Sequence, residues 1–280
     1  MIETIKNILI KGLHTKPIVT DLFYKKNGKA KPLVIFCHGY KGFKDWGAWN
    51  LVSNQFAESN FFFVKFNFSH NGGTADNPID FPDLIAFGNN NYTKELDDLQ
   101  SVIDWVLTEK SIEEELDKTK LYLIGHSRAG GIVTIKASEN NQVSKVISWA
   151  GVSDFSNRFP KEEALKKWKN EGVFYVINGR TKQQMPHYYQ YYENFKANEK
   201  RLNIKTAVIK LSIPHLIIHG TEDEAVSVQE ANQLHLWNPN SKVIIVEKAN
   251  HTFGIVHPYN EIRLSEEMQL VVNETIRFLS

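Results

Sequence analysis

The chain alternates between unbroken apolar runs and stretches whose apolar residues return every three or four positions. Residues 32–37, 61–68 and 121–124 are dominated by Leu, Val, Ile, Phe and Tyr, a pattern that suits strands covered on both faces. Between them, residues 45–58 carry Trp49, Val52, Phe56 and Ala57 at helical spacing. Residues 93–107 do the same with Leu96, Leu99, Val102, Ile103 and Val106, and Thr93 stands where an N-cap belongs. Further along, the pattern predicts a helix beginning over 132–137 and a strand over 145–149. It then predicts a strand over 215–219, a helix over 227–236, a strand over 242–247 and a helix over 264–279. Residues 3–11 and 17–26 predict an opening hairpin. Repeated alternation of strand and helix calls for a mainly parallel sheet with helices on both faces, here with an antiparallel edge.

Two segments break this rhythm. Residues 69–91 form a long polar loop, of a length that compact domains usually reserve for function or motion. Residues 153–212 are expected to form an insertion, a lid lying over the strand ends of a single domain spanning 1–280. They hold a charged helix over 161–169, a hairpin across 173–179 and an aromatic run over 187–195. Tyr188, Tyr192 and Phe195 are assigned to one helical face, either packing the lid itself or lining a pocket.

Length and composition narrow the class. The chain has 280 residues, 42% hydrophobic and 23% charged, enough for one large core. The net charge of +1 provides no basic field for nucleic acid or an anionic membrane. The acidic run 113–117 is expected to be the solvated end of a helix. Cys37 is the only cysteine, which excludes a disulfide framework and a thiolate metal site. No apolar stretch approaches about 20 residues, so no membrane span is expected, and a cytoplasmic location is the default.

The candidate chemistry centres on Gly125-His126-Ser127-Arg128-Ala129-Gly130. An apolar strand stops at Gly125 and a helix follows shortly after. Small residues crowd both sides of Ser127, as a sharp strand-to-helix turn requires, and the turn pushes the serine hydroxyl out above the sheet. An ordinary strand-to-helix turn and a phosphate-cradling glycine loop are the competing readings, and against the second no Lys-Ser or Lys-Thr pair follows the glycines. His215 and His219 have a helical metal-ligand spacing, yet they sit in a strand where four residues span about 13 Å. They cannot then share one ion, and neither metal nor cofactor is expected.

The string around Ser127 resembles the nucleophile elbow of the α/β-hydrolases, Gly-x-Ser-x-Gly, with Ala129 in place of the last glycine. The chain order of that superfamily is serine, acid, histidine. The resemblance implies an eight-stranded α/β-hydrolase fold and gives Asp223 the role of the acid, in a Gly-x-x-Asp turn after the 215–219 strand. Glu222 and Glu224 are the neighbouring alternatives. It gives His251, on the loop between the last strand and the last helix, the role of the base. The backbone N–H groups of Arg128 and Tyr40 would form the oxyanion hole. His38-Gly39 resembles the motif that shapes this loop on the substrate side, His38 as a brace and Gly39 as the point of close approach. His126 should point away from the reaction. The nearest likeness is to bacterial cinnamoyl (feruloyl) esterases and acylaminoacyl-peptidase-like hydrolases. Gly42-Phe43-Lys44-Asp45-Trp46-Gly47 and the 66–72 segment share in it, while Arg128 departs from the glutamine frequent after the serine in the cinnamoyl esterases.

The implied activity is cofactor-free hydrolysis of esters or thioesters through an acyl-enzyme. The implied partner is a small-molecule ester or acyl substrate, with Tyr188 and Tyr192 as candidate substrate contacts and a homodimer left open. An aminopeptidase or amidase is the second expectation, with Glu162, Glu163 or Glu193 available to meet a substrate amine. A non-catalytic ligand-binding member of the fold is the third.

Overall fold

The apolar runs pair into a single eight-stranded sheet in the computed structural model, which describes residues 1–280. The strands are β1 (Ile2–Ile10), β2 (Ile18–Lys25), β3 (Lys31–Cys37), β4 (Phe62–Asn67), β5 (Leu116–His126), β6 (Val143–Trp149), β9 (His215–Gly220) and β10 (Lys242–Val246). A separate two-stranded sheet consists of β7 (Val173–Ile177) and β8 (Gln184–Tyr188). The main sheet runs β1-β2-β4-β3-β5-β6-β9-β10. β1 and β2 pair antiparallel, β2 pairs antiparallel with β4, and every other neighbour is parallel.

Both faces are covered, as continuous apolar strands demand. On one face lie α1 (Trp49–Glu58) and α9 (Glu266–Leu279), whose Trp49, Phe56, Val271 and Val272 pack on Val34, Phe36 and Ile124. On the other lie α3 (Tyr92–Thr108), α4 (Arg128–Glu139) and α8 (Val228–Trp237), with Leu99, Val102 and Ile132 against Leu33, Ile35 and Leu123. This second core runs on into the 153–212 excursion between β6 and β9. That excursion contains α5 (Glu162–Glu171), the β7–β8 hairpin, α6 (Gln190–Ala197) and α7 (Ile204–Lys210). The remaining helix, α2 (Leu84–Gly88), is a short one inside the 69–91 loop. No helix is long and apolar enough to cross a membrane.

Several boundaries differ from the sequence pattern, each for a physical reason. The helix expected from residue 45 begins at Trp49. Asp45 is drawn into a buried ion-pair network with Lys44 and Lys65, and Gly47 adopts a left-handed φ of 57°. The cap of α3 is Asn91 rather than Thr93, its Oδ1 accepting from the Lys94 N–H at 3.0 Å. Tyr92 then enters the helix with its ring stacked on Phe155, centroids 3.9 Å apart. The hairpin turn lies over 178–183, because the Asn178 side chain accepts the N–H groups of Arg180 and Thr181. Tyr188 is the last residue of β8, so it does not share a helical face with Tyr192 and Phe195. The acidic run is only partly solvated: Glu115 is buried and accepts from the Asn27 and Gly28 N–H groups and, at 2.5 Å, from Lys31 Nζ.

Candidate active site

Ser127 caps α4 at φ 58°, ψ −123°, a left-handed backbone that side chains rarely adopt. The strain is held by its surroundings. The Ser127 N–H donates to the Trp149 carbonyl at 2.8 Å, and the Ser127 carbonyl accepts from Gly130 and Val152. A Cβ on Gly125 would lie 2.2 Å from the Ala129 carbonyl oxygen, so strand and helix meet this closely only around a glycine. Ala129 itself is accommodated, buried in the core under α4. Strain over-determined in this way is typical of functional turns.

The Ser127 Oγ is 2.9 Å from His251 Nε2, and His251 Nδ1 is 2.8 Å from Asp223 Oδ2. Asp223 comes from the turn after β9, and His251 from the loop between β10 and α9. The Asp223 side chain is wholly buried, whereas Glu222 and Glu224 are exposed, which separates the three neighbouring acids. Burial alone would hold a proton on Asp223. Hydrogen bonds from His219 and His251 and from the Val226 N–H outweigh it, and its carboxyl titrates well below the usual carboxylate range. With the carboxylate ionised, His251 presents its Nδ1–H to Asp223 and its Nε2 lone pair to the serine hydroxyl.

His219, considered from the sequence only as one of a metal-ligand pair, is a member of this site. Its Nε2 lies 2.8 Å from the Val226 carbonyl and 3.1 Å from Asp223 Oδ2. Two acceptors on one nitrogen require the proton there, so His219 donates to Asp223. The signal available was its place on β9, four residues before Asp223. His126 points away from Ser127 and donates from Nε2 to the His251 carbonyl at 2.9 Å, bracing the loop that carries His251. Burial drives its pKa down to about 3, which keeps it neutral.

Two backbone donors near Ser127 are left without a partner. Arg128 is the first residue of α4, and its N–H has no partner within the helix. Tyr40 lies on the loop after β3, and its N–H makes no hydrogen bond within the protein. Gly39 brings that loop against the serine: a Cβ there would sit 2.8 Å from Ser127 Cβ. His38 is buried, donates from Nδ1 to the Gly39 carbonyl and does not line the cavity. It shapes the loop from behind, and burial lowers its pKa to about 4.

A cavity of about 590 Å³ opens beside Ser127. Its walls come largely from the 153–212 excursion, through Phe155, Phe159, Trp168, Phe174, His187 and Tyr191. Tyr188 and Tyr192, expected as substrate contacts, do not line it. Tyr188 ends a strand and packs over Gly88, while Tyr192 turns to Phe159, Trp168 and Tyr189. Each is displaced by one residue from the side chain that does face the cavity. Glu162, Glu163 and Glu193 are exposed and also lie outside it.

The Arg128 side chain is part of the cavity lining. It pairs with buried Glu95 at 2.7 Å, donates to the Tyr191 hydroxyl at 3.2 Å and lies 5.0 Å from the Tyr40 ring centroid. Tyr40 in turn bonds His187 Nε2 through its hydroxyl at 2.7 Å. One guanidinium thus ties the Ser127 turn to α3, to the loop after β3 and to Tyr191 of the excursion. No group of three or more His, Cys, Asp or Glu side chains is placed to hold a metal ion.

The prolyl oligopeptidase family model matches residues 53–273, most of the chain. The chain belongs to the prolyl oligopeptidase family. Within curated proteins it is 30% identical over 115 residues to the "Uncharacterized peptidase YtmA" of Bacillus subtilis (strain 168). That alignment spans 41% of this chain and 39% of the relative. Among solved structures it is similar to Est1E from Butyrivibrio proteoclasticus with ferulic acid bound, at TM-score 0.72, 17% identity and 97% coverage of both chains. It is also similar to the acylaminoacyl peptidase of Pyrococcus horikoshii, at TM-score 0.67 and 16% identity, covering 99% of this chain and 41% of that one. Identities this low speak to fold alone, and the fold is that of the α/β-hydrolases, as the motifs implied.

Proposed function

We propose that this member of the family is a serine hydrolase cleaving small to medium carboxylic esters or thioesters with an apolar or aromatic acyl group. The observation that carries the reading is the Ser127–His251–Asp223 hydrogen-bond chain opening on an aromatic cavity. A serine hydroxyl is a poor nucleophile until a base takes its proton. Ser127 Oγ attacks the acyl carbonyl while its proton passes to His251 Nε2, and Asp223 holds the imidazolium in place. The N–H groups of Tyr40 and Arg128 take the charge that develops on the carbonyl oxygen. Donors of this kind are each worth about 10²–10³ in rate. His251 then returns the proton to the leaving oxygen, the carbon–oxygen bond breaks, and an acyl-Ser127 remains. Water, deprotonated by His251, releases the acid. The 153–212 segment acts as a lid that sets the acyl preference.

The family and the YtmA relative favour a second reading, a peptidase or amidase. Against a free-amine specificity stands the cavity wall, which contains no Asp or Glu to receive an ammonium group. Turnover of p-nitrophenyl esters of increasing chain length and of cinnamate, compared with the matching p-nitroanilides, separates the two. Ester turnover should dominate, and Ser127→Ala should lower kcat by about 10⁶-fold with unchanged circular dichroism. Faster anilide turnover would favour the amidase, and an active Ser127→Ala would remove both.

A further inference from the structure

The charges around the site are one-sided. The cavity beside Ser127 is lined by Lys41, Arg128 and Arg158 and by no carboxylate. A second cavity, of about 400 Å³, lies past the His251 loop, lined by Thr252, Ile255, Val256 and His257. It too has basic groups, Lys41 and Arg180, and no acid. Lys41 is the residue the two cavities share.

Three of these four cations are already neutralised. Arg128 pairs with Glu95, Arg158 with Glu230 and Arg180 with Asp80. Lys41 has no such partner. Its ammonium lies 5.1 Å from the Tyr40 ring centroid and meets no carboxylate. Burial lowers its pKa, and no opposing charge raises it back. Its backbone is left-handed, at φ 54°, where glycine would sit without cost. An unpaired, half-buried cation on a strained backbone, next to an oxyanion donor, has the features of a binding group rather than of a solvated surface lysine.

The side of the substrate it meets follows from the reaction. The leaving oxygen must reach His251 Nε2 to collect its proton, so the leaving group lies toward the His251 loop and the second cavity. The acyl group then takes the aromatic cavity under Trp168 and Phe174. We propose that Lys41 binds a carboxylate on the leaving group, so that the preferred substrates are esters of carboxylate-bearing alcohols or phenols. This inference rests on the serine-hydrolase reading and deepens it.

The test compares 4-carboxyphenyl butyrate with 4-carbamoylphenyl butyrate, which differ chiefly in charge, in wild type, Lys41→Gln and Lys41→Arg. The ratio of kcat/KM, charged over neutral, should fall about tenfold in Lys41→Gln, return in Lys41→Arg and shrink with added salt. The same pair made as amides of 4-aminobenzoate and 4-aminobenzamide tells whether the carboxylate arrives on a phenol or on an amine. A wild-type ratio that Lys41→Gln leaves unchanged would overturn the assignment while the hydrolase reading stands. Absence of turnover of every ester by the wild type would remove the hydrolase reading and this inference together.

Discussion

The carboxylate of Asp223 has every acceptor position in use. Oδ1 takes the N–H groups of Ala225 and Val226, and Oδ2 takes His251 and His219. Such saturation fixes both the rotamer and the charge of a buried acid. It also shows why the site was only partly legible from residues. Ser127, Asp223 and His251 carry motif signals in fixed order, whereas His219 is one histidine in an apolar strand, and only folding brings it to Asp223. Lys44 and Lys65 make the same point more strongly. Lysines are usually solvated, yet these two are fully buried against Asp21 and Asp45 and anchor the end of the 38–43 loop. The Arg128–Glu95 pair gives a direct prediction. Glu95→Ala leaves a guanidinium in the cavity lining without its counter-charge, which should cost about 3 kcal/mol in urea denaturation. A loss below about 1 kcal/mol would mean that water in the cavity solvates Arg128 without help.

At the scale of elements, the central strands β3, β4 and β9 were legible because they are buried on both faces and mostly apolar. The excursion was less so. Tyr188 and Tyr192 fit a helical face, but a strand ends at residue 188 and α6 begins at 190. A change of period between neighbouring residues shifts the cavity-facing set to His187 and Tyr191. Amphipathic spacing cannot locate such a junction when every candidate is aromatic. The roof that results is tightly coupled. Phe174 packs edge-on to Trp168 at 4.6 Å and stacks on His187 at 4.8 Å, while Trp168 Nε1 donates to the His187 carbonyl. Phe174→Ala should lengthen the cavity beneath that roof. Octanoate esters should then gain at least about tenfold in kcat/KM relative to butyrate, since pocket methylenes are worth about 1–3 kcal/mol each. An unchanged chain-length profile would place the acyl group elsewhere.

At the scale of the whole molecule, the buried histidines set the response to acid. Burial lowers His38, His70 and His215 to about 4, and His126 and His187 to about 3, from the ordinary 6.5. Between those values the unfolded chain binds protons that the folded chain refuses. Each such histidine therefore removes up to about 1.4 kcal/mol of stability per pH unit as pH falls below 6.5. Asp98 works the other way. Burial raises it from 3.8 to about 7, so the folded chain keeps a proton there that the unfolded chain has lost, and stability falls as pH rises across that window. Burial also raises Glu95, which acts with Asp98; the five histidines outweigh the two carboxyls, and the urea midpoint should be lower at pH 5 than at pH 7. An equal or higher midpoint at pH 5 would show that these imidazoles take up protons in the folded state.

The proposed hydrolysis depends on the serine hydroxyl being activated by its neighbours in the folded protein. Reaction with a fluorophosphonate probe, followed by mass mapping of the labelled peptide, measures this most directly. The adduct should appear on Ser127 alone, vanish in Ser127→Ala and form far more slowly in His251→Ala. A folded protein that takes up no label, or one labelled at another residue, would contradict it.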